Sequence, residues 1–329
     1  MSPPDESLQE KTFALPKLNL YSIGRLERLL GFGRADLRRV AANAGRYYSP
    51  FTKKEKPRPF QKKFKPRKPR QIDNPRGILK VIQKNIYARI LKRIPLPENL
   101  MGGVKGHTIA ENARVHLGRK VLAKIDIKSF FPSITSLHVY GIWRVHLNCS
   151  PEIASILTKL TTFERHLPQG APTSTLIANL VILCLDQPIR AESVSIAAKY
   201  SGWVDDLAFS GDNPRPLINS AVKQLAAAGF SVSRAKVKVM GPRAQKILTG
   251  TRLGKTPHAE PRQFARVRSG IHKLQTGAVP KHELDDYVRS LEGQIAHLAS
   301  IELLKAERLR VDLRKAIKVA RPGGGEQCI

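Results

Sequence analysis

The chain has 329 residues, 41% of them hydrophobic, with 57 Lys+Arg against 26 Asp+Glu and a formal charge of +31. That length buries a sizeable core in two or three subdomains, and the charge calls for a polyanion, nucleic acid ahead of a membrane surface. No run of 18 apolar residues offers a membrane span, the first twenty residues lack a signal-peptide pattern, and Cys149, Cys184 and Cys328 stand too far apart for a metal spacing or a disulfide framework; a reducing, cytoplasmic setting fits.

Residues 1–18 read as loose. From Ser22 the pattern turns helical, with Leu26, Leu29 and Leu30 on one face and Arg25, Glu27 and Arg28 on the other. A second short helix is predicted over 35–44. From residue 53 to 70 there are ten Lys/Arg, one Glu and four Pro. Prolines keep such a segment extended and like charges stiffen it. It reads either as a solvated basic linker or as an arm lying along phosphates. Lys62, Lys63, Lys65, Arg67 and Lys68 are its densest part, and Phe60 and Phe64 are placed to anchor or stack.

Arg70 to Pro75 alternates like the last strand of a hairpin. A long helix is predicted over 75–94, with Pro75 as its start, Ile78, Leu79, Ile82 and Ile86 on its apolar face, and Pro95 and Pro97 as its stop. Gly102, Gly103 and Gly106 mark a loop. A helix over 108–117 carries Asn112 and His116 on one face. A lone histidine is more often structural than catalytic. No carboxylate or second histidine stands at ligand spacing, so a metal role for His116 is rejected.

Val121 to Ile127 reads as a mostly apolar, buried strand with Asp126 near its end. A charged acid there is costly unless a cation or partner satisfies it. Leu167 to Ser174 (L-P-Q-G-A-P-T-S) is a tight turn, and Pro172 is placed to start a helix with Ile177, Leu180, Val181 and Cys184 inward. Lys199 to Gly211 (K-Y-S-G-W-V-D-D-L-A-F-S-G) reads as a β-hairpin with Asp205 and Asp206 at or next to its turn. Asp-Asp makes a poor turn of this kind, and two ionised neighbours repel. Alone, the pair reads equally well as two solvated acids. If the Asp126 strand lies beside this hairpin, three carboxylates converge. Hard oxygen ligands without His or Cys select Mg²⁺ or Mn²⁺ over Zn²⁺. Two such ions serve an in-line displacement at phosphorus, so on this basic chain the expected chemistry is nucleotidyl transfer. Towards the C-terminus three apolar repeats at helical spacing, beginning at Phe264, Leu284 and Leu303, predict a small bundle. Arg262, Arg266, Arg268 and Lys273 load its first helix with charge.

These motifs carry a resemblance. I-D-I-K-S-F-F-P-S-I (125–134), L-P-Q-G-A-P-T-S (167–174) and W-V-D-D (203–206) stand in the order and at the gaps of reverse transcriptases. Gly229 to Lys236 (G-F-S-V-S-R-A-K) matches that family's next block. N-A-R-V-H (112–116) and Leu248-Thr249-Gly250, close to the retron V-T-G, resemble the bacterial retron type. The resemblance covers residues 20–320. Trp203 and Val204 replace the usual Tyr and Ala; Ser233, Val237 and Leu248 replace Asn, Thr and Val. Metal binding is untouched by these departures, which bear on the primer end, against which that tyrosine packs.

The resemblance implies an α+β right-hand polymerase of fingers, palm and thumb. Residues 1–118 would form N-terminal helices and fingers with the basic arm 53–70. Residues 119–250 would form a palm, an antiparallel sheet backed by helices, with a fingers portion inserted near 145–170. Residues 251–329 would form a helical thumb and a frayed tail. The implied activity is RNA-directed DNA polymerisation of retron type. Part of a structured non-coding RNA is copied from dNTPs into single-stranded DNA, in an anti-phage defence system with a possible effector protein encoded nearby. Asp126, Asp205 and Asp206 would hold two Mg²⁺ ions, Mn²⁺ substituting, with help from the backbone carbonyl of Ile127. Arg70 resembles the fingers cation that grips the triphosphate, Gln169 would line the nucleotide pocket, and Phe131 stands at the aromatic sugar gate. Lys236 is either the acid for the leaving pyrophosphate or one more phosphate contact. Asn112, His116, Leu248, Thr249 and Gly250 would recognise RNA, by analogy only, and Arg262, Arg266 and Arg268 would grip the duplex. A stand-alone defence enzyme, a group II intron relative and a non-catalytic RNA-binding protein on this scaffold are the alternatives. The intron reading lacks a domain after the thumb, and the non-catalytic one would show loss of a metal acid.

Overall fold

Ser22 caps α1 (Ile23–Leu30), its hydroxyl accepting from Arg25 N, and Gly31 closes the helix at φ 74. The computed structural model describes residue 13 and residues 15–53 and 69–321. Lys62, Lys63, Lys65, Arg67, Lys68 and the tail after Arg321 lie outside the described residues. After α2 (Arg34–Ala42) come β1 (Tyr48–Lys53) and β2 (Arg70–Pro75), paired antiparallel from Tyr48–Pro75 to Lys53–Arg70. The helix expected over 75–94 is shorter: α3 runs Gly77–Arg89, and a 3₁₀ turn covers Leu91–Arg93. Pro75 is held in the ladder and Arg76 N donates to Tyr47 O, so the backbone stays extended up to that point.

A capping box opens α4 (Ile109–Arg114), Thr108 accepting from Glu111 N and Glu111 from Thr108 N. The chain continues through β3 (Val121–Asp126), α5 (Phe130–Ser133), α6 (Ser136–Gly141), α7 (Pro151–Thr161), α8 (Ser174–Leu185) and α9 (Gln187–Ser195). Thr173, not Pro172, stands at the cap of α8. Then follow β4 (Lys199–Trp203), β5 (Asp206–Gly211), α10 (Arg215–Ala227) and β6 (Lys238–Met240). The strands β4-β5-β3-β6 form one antiparallel sheet in that order. Its two faces alternate as a strand requires. Ala123, Ile125, Leu207 and Phe209 enter the main core with α1, α3, α7 and α8. Leu122 and Ala208 enter a small cluster with Ala113, Leu248 and Leu253.

A second antiparallel sheet joins β7 (Lys246–Leu248), β8 (Thr251–Leu253) and β9 (Pro257–Ala259). Three-residue strands leave no periodicity to read, and the sequence reading passes over them. The three helices expected near the C-terminus are present as α11 (Pro261–Gln275), α12 (Leu284–Ala299) and α13 (Leu303–Ala320), around Phe264, Ile271, Leu291, Ile295, Leu309 and Leu313. Among the described residues no helix is long and apolar enough to cross a membrane.

The short helix α4 joins these bodies. Ala110 enters the bundle core and Ala113 the small cluster. Asn112 and His116 point to the sheet, each 1% exposed. Ser201 Oγ of β4 donates to Asn112 Oδ1 at 2.6 Å, so it accepts from His116 Nε2 at 2.8 Å. His116 Nδ1 is left to accept from Ser210 Oγ of β5 at 2.7 Å. This corrects the expectation that Asn112 and His116 touch RNA: Asn112 Oδ1 and both ring nitrogens are spent inside the protein. The Leu248 side chain, 1% exposed, is likewise out of reach.

Burial, with a smaller contribution from Arg119, pushes the His116 pKa from 6.5 down to about 3. The folded state then binds fewer protons than the unfolded chain. Stability is complete above the unfolded value of 6.5 and falls as pH drops toward about 3. By pH 5 the expected loss is about 2 kcal/mol. Urea unfolding at pH 7 and pH 5 measures it, and His116→Gln should remove most of that pH dependence.

Candidate active site

The register of β3 on β5 runs from Val121–Gly211 to Asp126–Asp206, so two acids from distant segments end up opposite each other. Asp126 is 7% exposed at the end of an apolar strand. Asp206 opens β5 and pairs with Trp203 of β4, leaving Val204 and Asp205 as the turn. Ile127 N donates to Asp205 O at 2.9 Å and ties that turn to the end of β3. Val204 sits at φ 58, an uncommon conformation for a β-branched residue. The three carboxylates are thus brought together.

Their electrostatics follow from this crowding. Burial, then repulsion from Asp205 and Asp126, pushes Asp206 up to about 6, against the pull of Lys124 and Lys236. Burial is also the largest cause of the raised Asp205 pKa; Asp126 adds to it, while Lys236 and Arg70 oppose it. Lys236 Nζ lies 2.7 and 2.8 Å from the two Asp126 oxygens. A 3₁₀ turn over Arg234–Lys236 delivers it, anchored where Ser233 N donates to Asp126 O at 2.8 Å.

Among the described residues no three His, Cys, Asp or Glu side chains are grouped, as they stand, to hold one metal ion. The donors nevertheless suit a hard divalent cation: they are carboxylate oxygens, two of them destabilised as anions, and Asp126 already accepts a cation on both oxygens.

Arg70 is the first residue of β2 and stands close enough to bias Asp205. Gln169 is docked on the same strand: Asp73 N donates to Gln169 O at 2.9 Å, and Gln169 N to Asp73 Oδ2 at 3.3 Å. His166 Nε2 contacts that carboxylate oxygen at 3.3 Å. Gly170, at φ 122, keeps the turn close to β2, since a Cβ there would stand 3.0 Å from Ile72 Cγ2. Sequence reasoning missed Asp73 and His166. Asp73 precedes Asn-Pro and reads as a turn former, and no local signal shows that it is 3% exposed and clasped from a distant loop. Lys124, on the Asp126 strand, was also missed as a charge acting on Asp206.

Phe131 is half-buried on α5, its ring 5.9 Å from Phe130, which is buried and 5.9 Å from Phe230. Ile127, 1% exposed, follows β3 directly. Thr249 at φ 46 and Gly250 at φ 80 are the two-residue turn of the β7–β8 hairpin, as in a turn with both φ positive. Arg262, Arg266 and Arg268 are exposed on α11, and Arg262 pairs with Glu260 at 2.5 Å. At about 100° per residue Arg262, Arg266 and Lys273 share a strip, while Arg268 falls on another side. These cations belong to the bundle.

Residues 53–263 match the family described as reverse transcriptase (RNA-dependent DNA polymerase). The retron Mx65 reverse transcriptase of Myxococcus xanthus is 29% identical over 262 residues, covering 73% of this chain and 60% of that protein. For the retron Ec86 reverse transcriptase of Escherichia coli the identity is 28% over 253 residues, covering 76% and 77%. For the retron Se72 reverse transcriptase of Salmonella heidelberg it is 28% over 319 residues, covering 91% and 80%. The chain therefore spans 60% of the first of these relatives and about four fifths of the other two. All three acids lie inside the matched region. The chain belongs to the reverse transcriptase (RNA-dependent DNA polymerase) family and, with these relatives, to its bacterial retron type.

Proposed function

We propose that this chain is an RNA-directed DNA polymerase that copies part of a structured non-coding RNA into single-stranded DNA, as one component of an anti-phage defence system with a separate effector protein. The observation that carries the chemistry is the Asp126–Asp206 pairing with Asp205 in the adjoining turn, inside a matched reverse transcriptase region. In this reading the β4-β5-β3-β6 sheet and its helices are the palm, the β1–β2 hairpin belongs to the fingers, and α11–α13 are the thumb.

Asp126, Asp205 and Asp206, with the Ile127 carbonyl, would hold two Mg²⁺ ions. Metal held by these residues would supply charge neutralisation of the triphosphate and activation of the primer 3′-hydroxyl. Arg70, on β2 and close enough to act on Asp205, would grip triphosphate oxygens in bidentate fashion. Gln169, fixed through Asp73, walls the nucleotide on the same side. The ammonium of Lys236 is placed at the acid cluster, where it donates a proton to the departing pyrophosphate or balances its charge. Phe131 stands one short turn beyond the metal-bearing strand, where the ribose must lie. An aromatic ring there leaves a 2′-hydroxyl without water or a hydrogen-bond partner, a cost of about 1–3 kcal/mol. The basic segment 53–70, the Thr249-Gly250 turn and the α11 arginines are the proposed RNA and duplex contacts.

Asp126→Asn and Asp205→Asn should each abolish primer extension in Mg²⁺ while RNA binding persists; near-normal extension by either would overturn the metal-site reading. Phe131→Val should lower the dNTP-over-NTP ratio of kcat/KM by about 10- to 100-fold. Phe130→Val should cost stability without moving that ratio. RNA affinity should fall steeply with salt, each phosphate contributing a log–log slope of about −0.9 for duplex or −0.7 for single strands. Replacing Lys62, Lys63, Lys65, Arg67 and Lys68 by Gln should flatten the slope, and an unchanged slope returns this segment to a solvated linker.

A further inference from the structure

The loop between α3 and α4 lies against the turn that carries Asp205. Gly202 N donates to Asn99 O at 2.7 Å and Met101 N to Gly202 O at 3.0 Å, so a parallel bridge at Leu100 and Gly202 extends the edge of β4. The next residue reaches the turn itself. A Cβ on Gly102 would stand 2.3 Å from Val204 N, 2.7 Å from Val204 Cγ2 and 2.8 Å from Trp203 C. Two of those atoms are backbone and have no rotamer by which to yield. Gly103, at φ 70, is pressed equally against α8, where a Cβ would stand 2.2 Å from Thr175 Cγ2.

One polar side chain fastens this arrangement. Asn179, 1% exposed in the mostly apolar α8, donates Nδ2 to Gly102 O at 2.8 Å. Burying an amide in such a helix is unfavourable unless its hydrogen bond is made. On the far side, Val204 holds φ 58, which a β-branched residue keeps only when its surroundings over-determine it. The turn is therefore enclosed twice: by Ile127 N on Asp205 O, and by Gly102 against Val204 N.

We propose that Asn179 and Gly102 are positioning residues that form a clamp, holding Val204 in its left-handed conformation and so setting the direction of the Asp205 carboxylate toward Asp126 and Asp206. Neither touches reacting atoms. With the clamp loosened, Val204 relaxes toward negative φ and Asp205 leaves the cluster. This inference rests on Asp205 belonging to the catalytic centre.

The test uses the full chain with Asn179→Ala, Gly102→Ala and Gly102→Ala/Val204→Gly. Primer extension is measured at varied dNTP and Mg²⁺, and amide hydrogen exchange is followed in peptides spanning 199–207. Each single variant should lower kcat by about tenfold or more, because small misplacements of reacting groups are costly, and leave KM for dNTP nearly unchanged. Half-saturating Mg²⁺ should rise by about threefold or more, and exchange at the turn should speed up. Val204→Gly, tolerant of either sign of φ, should recover part of the kcat lost to Gly102→Ala. A folded Asn179→Ala enzyme with wild-type kcat, Mg²⁺ dependence and turn exchange overturns the clamp. So does lost activity with unchanged Mg²⁺ dependence and exchange, which marks ordinary packing. Should Gly102→Ala fail to fold, Asn179→Ala decides alone. An active Asp205→Asn enzyme would instead defeat the catalytic reading, while turn exchange still reports on the clamp.

Discussion

The pairing register of β3 on β5 is the constraint on which the acidic cluster depends. A slip of one residue would turn Asp126 to the other face of the sheet. The slip is opposed from both sides, because Ile125 and Phe209 are packed in the main core while Leu122 and Ala208 are packed in the small cluster. Two buried faces leave no solvent side on which a misregistered apolar residue can rest. The apolar pattern of a strand thus decides where a carboxylate lies.

That placement is electrostatically expensive, and the surroundings show how the expense is met. Asp206 is driven up to about 6 by burial and by its two acidic neighbours. Lys236, Lys124 and Arg70 come from three separate segments and each opposes the accumulation of negative charge. Removing a partner from such a buried set leaves an uncompensated charge, which costs more than the pair itself contributes. These cations offset the cluster's negative charge from within the protein itself.

The polar groups around the cluster are also fixed by contacts across long stretches of chain. Asp73 clasps Gln169 and contacts His166, so the L-P-Q-G turn is fastened to the β1–β2 hairpin. The helix α4 and His116 just after it meet three neighbours: the bundle core, the small cluster and the serines of β4 and β5. Each of its buried positions therefore serves packing before it can serve recognition. This is why Asn112, Ala113 and His116 of N-A-R-V-H, which resembles a recognition motif, lie in the interior, while Arg114 stays exposed.

Some of this protein was legible in its sequence. The three acids, the strand that bears Asp126, the hairpin at Trp203–Phe209 and the helices of the bundle are local patterns, and local patterns survive in sequence as periodicity, turn chemistry and motif order. Asp205 and Asp206 could be read on a hairpin; their meeting with Asp126 needed a pairing that no local rule supplies. The short strands β7–β9, the end of α3 at Arg89, the burial of Asn112 and His116, and the clasp at Asp73 were decided by tertiary structure alone. So was the approach of Gly102 to Val204, which resembles any glycine loop when read along the chain. For Asn112, His116, Asp73 and Gly102 the deciding partner lies 85 or more positions away along the chain. A side chain's hydrogen-bond partner and its exposure are properties of the folded neighbourhood, which residue order specifies only after the chain has packed.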